Sequence, residues 1–140
     1  MSRYTSGQYE PKNPKKYIGK YPIIYRSSWE LGLMQKFDIH PNITEWASES
    51  LQIPYRNPFT NKDTIYVPDF FVKYIDKTNK IHVEIIEIKP LKETLLEKAK
   101  SKKDKLSVAL NTVKWQAAQA FCKKAGITFR IMTEEQLFRK

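Results

Sequence analysis

From Ser27 the string SSWELGLMQKFDIH sets Glu30, Leu33, Met34 and Phe37 at the i, i+3, i+4, i+7 spacing of one helical face, and Pro41 closes the element. The period then changes. ITEWASESLQIPY (residues 43–55), TIYVPDFFVKY (64–74) and IHVEIIEIK (81–89) run apolar or alternating over strand lengths. A turn-rich link at 57–63 and the polar turn DKTNK separate them, and the last two predict a hairpin. Pro90 ends the third strand, and a lysine-rich stretch leads into a second helix carrying Leu106, Leu110, Val113, Ala117, Ala120 and Phe121 at helical spacing. Gly126 suits its C-cap, ITFRIM is a short strand, and Thr133 with Gln136 forms a capping box for a terminal helix over TEEQLF. The order is helix, three strands, helix, strand, short helix. A strand, helix, strand passage over 81–132 predicts a right-handed parallel crossover, hence an α/β chain with a mixed sheet flanked by helices.

Length changes the picture little: 140 residues, 41% hydrophobic and 29% charged, suit one soluble globular domain. No apolar run approaches the ~20 residues needed to span a bilayer as a helix. The opening MSRYTSGQYEPKNPKK has no apolar core for a secretory signal, and Cys122 is the sole cysteine, so a reducing cytoplasmic setting is expected. Charge changes the picture more. The net charge of +10 favours a polyanionic partner, nucleic acid foremost. Residues 1–26 hold Arg3, Lys12, Lys15, Lys16, Lys20 and Arg26 against Glu10 alone, with Tyr4, Tyr9, Tyr17, Tyr21 and Tyr25 among them. Cations interleaved with aromatics suit phosphate contact and base stacking, so the reading divides the chain into a basic, tyrosine-rich arm (1–26) and a domain (27–140).

Candidate chemistry lies on the strands. Alternation puts Asp69 on one face with Ile65, Val67 and Phe71, and puts Glu87 and Lys89 on one face with Val83 and Ile85. An ionised carboxylate on an apolar surface is costly unless a partner or metal neutralises it. Lys89 can serve one carboxylate but not two. If the hairpin sets Asp69 beside Glu87, a hard divalent cation is the natural occupant, since Mg²⁺ is held by a few carboxylate oxygens plus water. Glu30 has two roles open to it: SSWE fits the capping box Ser27-x-x-Glu30, and its face also holds Leu33, Met34 and Phe37, which points it toward the sheet.

The Pro68-Asp69 pair, seventeen intervening residues, then Glu87-Ile88-Lys89, with a helical Glu30 upstream, resembles the signature of the PD-(D/E)xK nuclease superfamily, whose restriction-endonuclease-like core is an αβββαβ unit. YRSSWEL, VPDFF, EIKP and KWQAAQAFCKKAGITFRIMTEEQL are similar to the head completion nucleases of tailed phages, themselves related to the N-terminal nuclease domain of transposon-end endonucleases. The resemblance implies a phage-encoded, metal-dependent DNA endonuclease acting in head completion after packaging. The cofactor would be Mg²⁺ or Mn²⁺, the partners DNA and the portal or another head protein, and the setting the host cytoplasm during assembly or the virion. It also implies roles: Asp69 and Glu87 as metal ligands, Glu30 as a direct or water-mediated one, the Ile88 carbonyl as a further oxygen, and Lys89 as the cation facing the attacked phosphate. Such an ion activates water near neutral pH and polarises the phosphoryl oxygen. Two alternatives stay open: a non-catalytic DNA-binding capsid-assembly protein on a nuclease core, and a structure-specific or junction nuclease.

Other features are weighed against blander readings. Glu84 falls on the face opposite Glu87 by strict alternation, and Tyr17-Ile18-Gly19 lacks the first half of a GIY-YIG motif. His40 and His82 read as structural and Cys122 as core, on a face with Trp115 and Ala118. Lys89, Lys92, Lys98, Lys100, Lys102, Lys103 and Lys105 form a basic track leaving the proposed site. The DNA-contacting set is Lys15, Lys16, Lys20, Arg26 and Lys92, with Lys114 on the second helix near the phosphate.

Overall fold

The computed structural model describes residues 6–95 and 100–137, so Arg3, Tyr4 and Lys98 lie outside the described residues. In chain order the elements are β1 (Gly7–Tyr9), β2 (Ile23–Tyr25), α1 (Ser28–Ile39), β3 (Ile43–Ser48), β4 (Ile53–Asn57), β5 (Lys62–Tyr66), β6 (Phe70–Ile75), β7 (Ile81–Ile88), α2 (Lys102–Ala125), β8 (Thr128–Met132) and α3 (Glu134–Leu137). The central sheet has the order β3-β6-β7-β8; β7 and β8 are parallel and the other neighbours antiparallel. It is the mixed sheet of an α/β fold. The helix from residue 102 to 125 links the parallel pair, as the strand, helix, strand pattern requires.

Alternation along β7 divides the core. Ile86 faces a cluster with Leu33, Met34 and Phe37 of α1 and Trp46 of β3, while Ile85 faces Trp115, Ala118 and Cys122 of α2. Both helices are capped as their sequences indicate: Ser27 Oγ accepts the Glu30 N–H, and Gly126 ends α2 at φ 71°, in the left-handed region glycine tolerates. At the C-terminus Gln136 Oε1 accepts from the Thr133 N–H and hydroxyl, and Thr133 Oγ1 accepts the Glu135 N–H.

Four sequence expectations need correction. First, each of the stretches 43–55 and 64–74 is two strands. Glu49 turns the chain at φ 49°, and Pro68, with no N–H for a ladder bond, interrupts the second stretch. The freed segments pair as a separate ribbon, β4–β5, so Ile65 is 50% exposed and shares no buried surface with Asp69. Second, Asp69 immediately precedes β6 instead of lying within a strand. Third, α2 buries Val108, Asn111, Trp115, Ala118 and Cys122, not the face centred on Leu106 and Leu110; Leu106 is 46% exposed.

The fourth concerns the arm. The described residues 6–26 are part of the domain core, and no boundary falls at residue 26. Tyr17 and Ile23 are buried in the α1-side cluster, with Tyr17 packed edge-on against Trp46. Asp38, fully buried on α1, accepts hydrogen bonds from the Tyr9 hydroxyl (2.6 Å), the Lys12 N–H (2.6 Å) and the Asn13 N–H (2.9 Å). Burial pushes the Asp38 carboxyl upward, and these bonds outweigh it, leaving it below its ordinary value. Lys16 Nζ donates to the Asp38 and His40 carbonyls at the C-terminal end of α1. That is where a helix dipole favours a cation and where the last carbonyls lack intrahelical partners. Lys16 is thereby engaged in holding the end of α1, Tyr9 in holding Asp38, and Tyr17 in the core.

Candidate active site

The hairpin register decides which side chains meet. Phe70 pairs with Ile86 across β6–β7, which brings Asp69, one residue before β6, level with the Glu87–Ile88 end of β7. Asp69 Oδ2 accepts the Ile88 N–H at 2.7 Å, fixing the carboxylate against the partner strand. Glu87 is 5% exposed, and its Oε2 lies 3.8 Å from Lys89 Nζ. α1 enters from the side: its first turn carries Glu30, held by the Ser27 hydroxyl at 3.3 Å. A cavity of about 240 Å³ opens on all four residues, lined also by Arg26, Trp29, Ile88 and Glu93. Sequence reasoning therefore placed Glu30, Asp69, Glu87, Ile88 and Lys89 around one space.

The electrostatics are those of crowded acids. Burial, then the Glu87 charge, pushes the Asp69 carboxyl well above its ordinary value; the Ile88 N–H and Lys89 oppose this and Glu30 adds to it. Burial likewise raises Glu87 against the pull of Tyr66 and Lys89. Burial raises Glu30 too, against the bonds from Arg26 and Ser27. Lys114 of α2 is depressed by burial and by Lys89, and held up by Glu87, so it stands within reach of the same charges. Its ammonium lies over the Tyr66 ring at 5.8 Å.

No group of three or more His, Cys, Asp or Glu drawn tightly around one point is present among the described residues. The donor set is nevertheless suited to a hydrated hard cation, which takes one or two carboxylates and completes its shell with water and phosphate oxygens. Glu87 Oε1 supports that fit, being buried with no hydrogen-bond partner in the structure.

The pattern of the family described as TnsA-like endonuclease N terminal matches residues 40–134. The chain belongs to this family. It is also similar to the head completion nuclease of Enterobacteria phage T4, 38% identical over 143 residues, covering 94% of this chain and 93% of that protein. In this TnsA-like chain the family pattern takes in Asp69, Glu87, Lys89 and Lys114 but begins after Glu30. Glu30 therefore rests on its place in the cavity.

The DNA-contact set divides. Lys114 stands beside the site over Tyr66, within reach of the Glu87 and Lys89 charges, and Arg26 lines the cavity while paired with Glu49. Lys15, Lys20 and Lys92 are exposed, and Lys16 is committed to α1. Glu84 is buried away from the cavity, taken by the Tyr74 hydroxyl (2.5 Å) and Arg130 (3.4 Å). Sequence reasoning missed Glu93 and Tyr66. Glu93 sits on a turn after Pro90, outside any strand alternation, and its carbonyl accepts from Asn111 Nδ2 at 3.2 Å. Tyr66 stands three residues before Asp69 at the end of β5 and reads from sequence as an ordinary strand aromatic.

Proposed function

We propose that the protein is a divalent-cation-dependent DNA endonuclease that hydrolyses phosphodiester bonds during phage head completion. The observation that carries this is the convergence of Asp69, Glu87, Lys89 and Glu30 on one polar cavity, in a chain of an endonuclease family. The named activity of the T4 relative supports the head-completion setting. Asp69 and Glu87 would hold Mg²⁺, or Mn²⁺ in its place, with Glu30 and the Ile88 carbonyl as further oxygens. When bound, the ion supplies water activation and polarises the phosphoryl oxygen.

The chain's own groups do the rest. Lys89, kept near Glu87 at 3.8 Å, is the cation placed to offset charge developing on the attacked phosphate. Lys114 adds a second positive charge on the α2 side. Arg26 and Lys92, on the cavity rim and on the turn beyond it, are placed to fix the flanking phosphates. A portal or other head protein would bring the enzyme to packaged DNA, in the host cytoplasm or on the virion.

The test is nicking of supercoiled plasmid with and without Mg²⁺, on wild type and on Asp69→Ala and Glu87→Ala, beside equilibrium DNA binding. Both variants should lose cleavage and keep binding, because they remove carboxylates and leave the cations in place. Mg²⁺-dependent cleavage retained by either variant would sink the site. Wild-type binding with no cleavage under any divalent cation would favour the non-catalytic capsid-assembly reading.

A further inference from the structure

The ribbon β4–β5 ends in an exposed apolar tip. Phe59 is 54% exposed there, and the turn that presents it is fixed: Asn57 Oδ1 accepts the Phe59 N–H at 2.8 Å and the Thr60 N–H at 3.2 Å. Phe59 forms one wall of a groove of about 430 Å³, whose other wall is Lys102, Lys103, Leu106, Ser107 and Leu110 of α2.

Helical spacing aligns this groove with the candidate active site. Lys103, Ser107, Leu110 and Lys114 are 4, 3 and 4 residues apart, so they share one stripe of α2. Lys114 lies over Tyr66 beside Glu87, and Lys103 is at the Phe59 groove. Eleven residues at 1.5 Å each put the two lysines about 16 Å apart along the helix. The ribbon covers a comparable distance, from Tyr66 at its base to Lys62 at its far end, about 13 Å at strand rise.

We infer that the Phe59 groove holds an unpaired nucleotide of the bound DNA, up to about five nucleotides along the strand from the phosphate at Lys89 and Lys114. This rests on the DNA reading above and adds to it a substrate class: DNA with a single-stranded segment on the α2 side of the cut. The count takes ~16 Å at about 3.4 Å per nucleotide, the stacked spacing of a duplex strand, and is therefore the largest number that spans the distance. An aromatic face rimmed by lysines matches the two halves of a nucleotide, base and phosphate. Bases stacked within a duplex have both faces covered, so an unpaired one is the occupant that gains from Phe59. A second copy of this chain fits poorly, since at +10 it would bring like charge to Lys102 and Lys103.

The test is equilibrium binding in EDTA, using fluorescent duplexes that are blunt or carry unpaired extensions stepped from two to eight nucleotides, with wild type, Phe59→Ala and Phe59→Trp. Wild type should gain affinity with extension length and level off by about five nucleotides. Phe59→Ala should lose on the order of tenfold on the five-nucleotide extension and nothing on the blunt duplex, while Phe59→Trp keeps the gain. Equal binding of both DNAs by wild type, equal loss on both in Phe59→Ala, or a Phe59-dependent change in sedimentation mass without DNA would overturn the proposal. Plasmid nicking in Mg²⁺, run in parallel, separates the two ideas: no nicking with an intact extension preference defeats the nuclease reading and leaves the groove standing.

Discussion

Glu87→Gln should stabilise the protein in the absence of divalent cations, and by an amount that grows with pH. Glu87 is 5% exposed, its Oε1 has no hydrogen-bond partner, and Asp69 crowds it with like charge. The carboxyls of both residues are raised by burial. Below the ordinary carboxylate range, about pH 4, folded and unfolded chains both hold these protons and the pair costs nothing in ionisation. As pH rises from there through the raised folded values, the unfolded chain releases protons first, so stability falls. Glutamine does not titrate, and the variant escapes that fall. A buried polar group left unsatisfied costs ~1–3 kcal/mol and more when charged; glutamine keeps the polar group but sheds the charge, so a gain of about 2 kcal/mol at pH 7 is the expected size. For a chain of this length that raises Tm by about 6–10 °C. Mg²⁺ at a hundred times its Kd would then stabilise wild type by about 2.7 kcal/mol and the variant less, closing the gap. Thermal melts from pH 4 to 7.5, with EDTA or Mg²⁺, read all of this. A Tm difference that is the same at pH 4 and pH 7, or an equal response of both proteins to Mg²⁺, would refute the reasoning.

Lys89→Ala should lower the cleavage rate by one to several orders of magnitude without weakening Mg²⁺ binding in titration calorimetry, because an ammonium repels the ion; lost Mg²⁺ binding would count against the role. Glu30→Gln keeps the bond between Glu30 N–H and Ser27 Oγ, so Tm should hold within about 1 °C while activity falls strongly; full activity would leave Glu30 only its cap. Asp38→Asn should destabilise by about 2–4 kcal/mol in chemical denaturation, since an amide cannot accept from Tyr9, Lys12 and Asn13 together. The Asp38 carboxyl is held below its ordinary value, so its contribution is present above the unfolded pKa and lost as pH falls through the folded one.

The carboxylates of the candidate site were legible because local rules place them. Alternation along residues 81–89 needs no tertiary knowledge, and a five-residue turn lets only a few registers bring Asp69 level with Glu87. The ribbon was not legible. Its two strands look like continuations of β3 and β6, and what separates them is a left-handed Glu49 and a proline whose missing N–H mattered only once the ladder was known. The α2 face was misread because Leu106 and Leu110 match the helical period as well as Val108 and Trp115 do, and only the packing partners decide between the two stripes. The N-terminal segment was misread for a similar reason. Six cations and five tyrosines suggest a nucleic-acid arm, but Tyr9 and Lys12 are set by Asp38, 29 and 26 residues away, a contact no local pattern announces.

That misreading matters for the site. The cavity has walls from two distant parts of the chain: Arg26 to Glu30, and the Asp69 and Glu87 hairpin end with the turn to Glu93 that follows it. The hairpin joins Asp69 to the Glu87 strand through its own ladder. Glu30 reaches the acids because α1 lies where Phe37 meets Trp46 and Phe70, and because residues 9–16 are tied to its far end through Asp38 and Lys16. Crowded carboxylates push such walls apart, since each would lower its energy by moving toward water. Aromatic packing of Phe37 and the satisfied buried carboxylate of Asp38, neighbours in the last turn of α1, resist that push from the end of the helix away from the acids. The basic character of residues 12–16 is thus explained in part by helix anchoring, and the cations that stand nearest the crowded acids are Lys89 and Lys114.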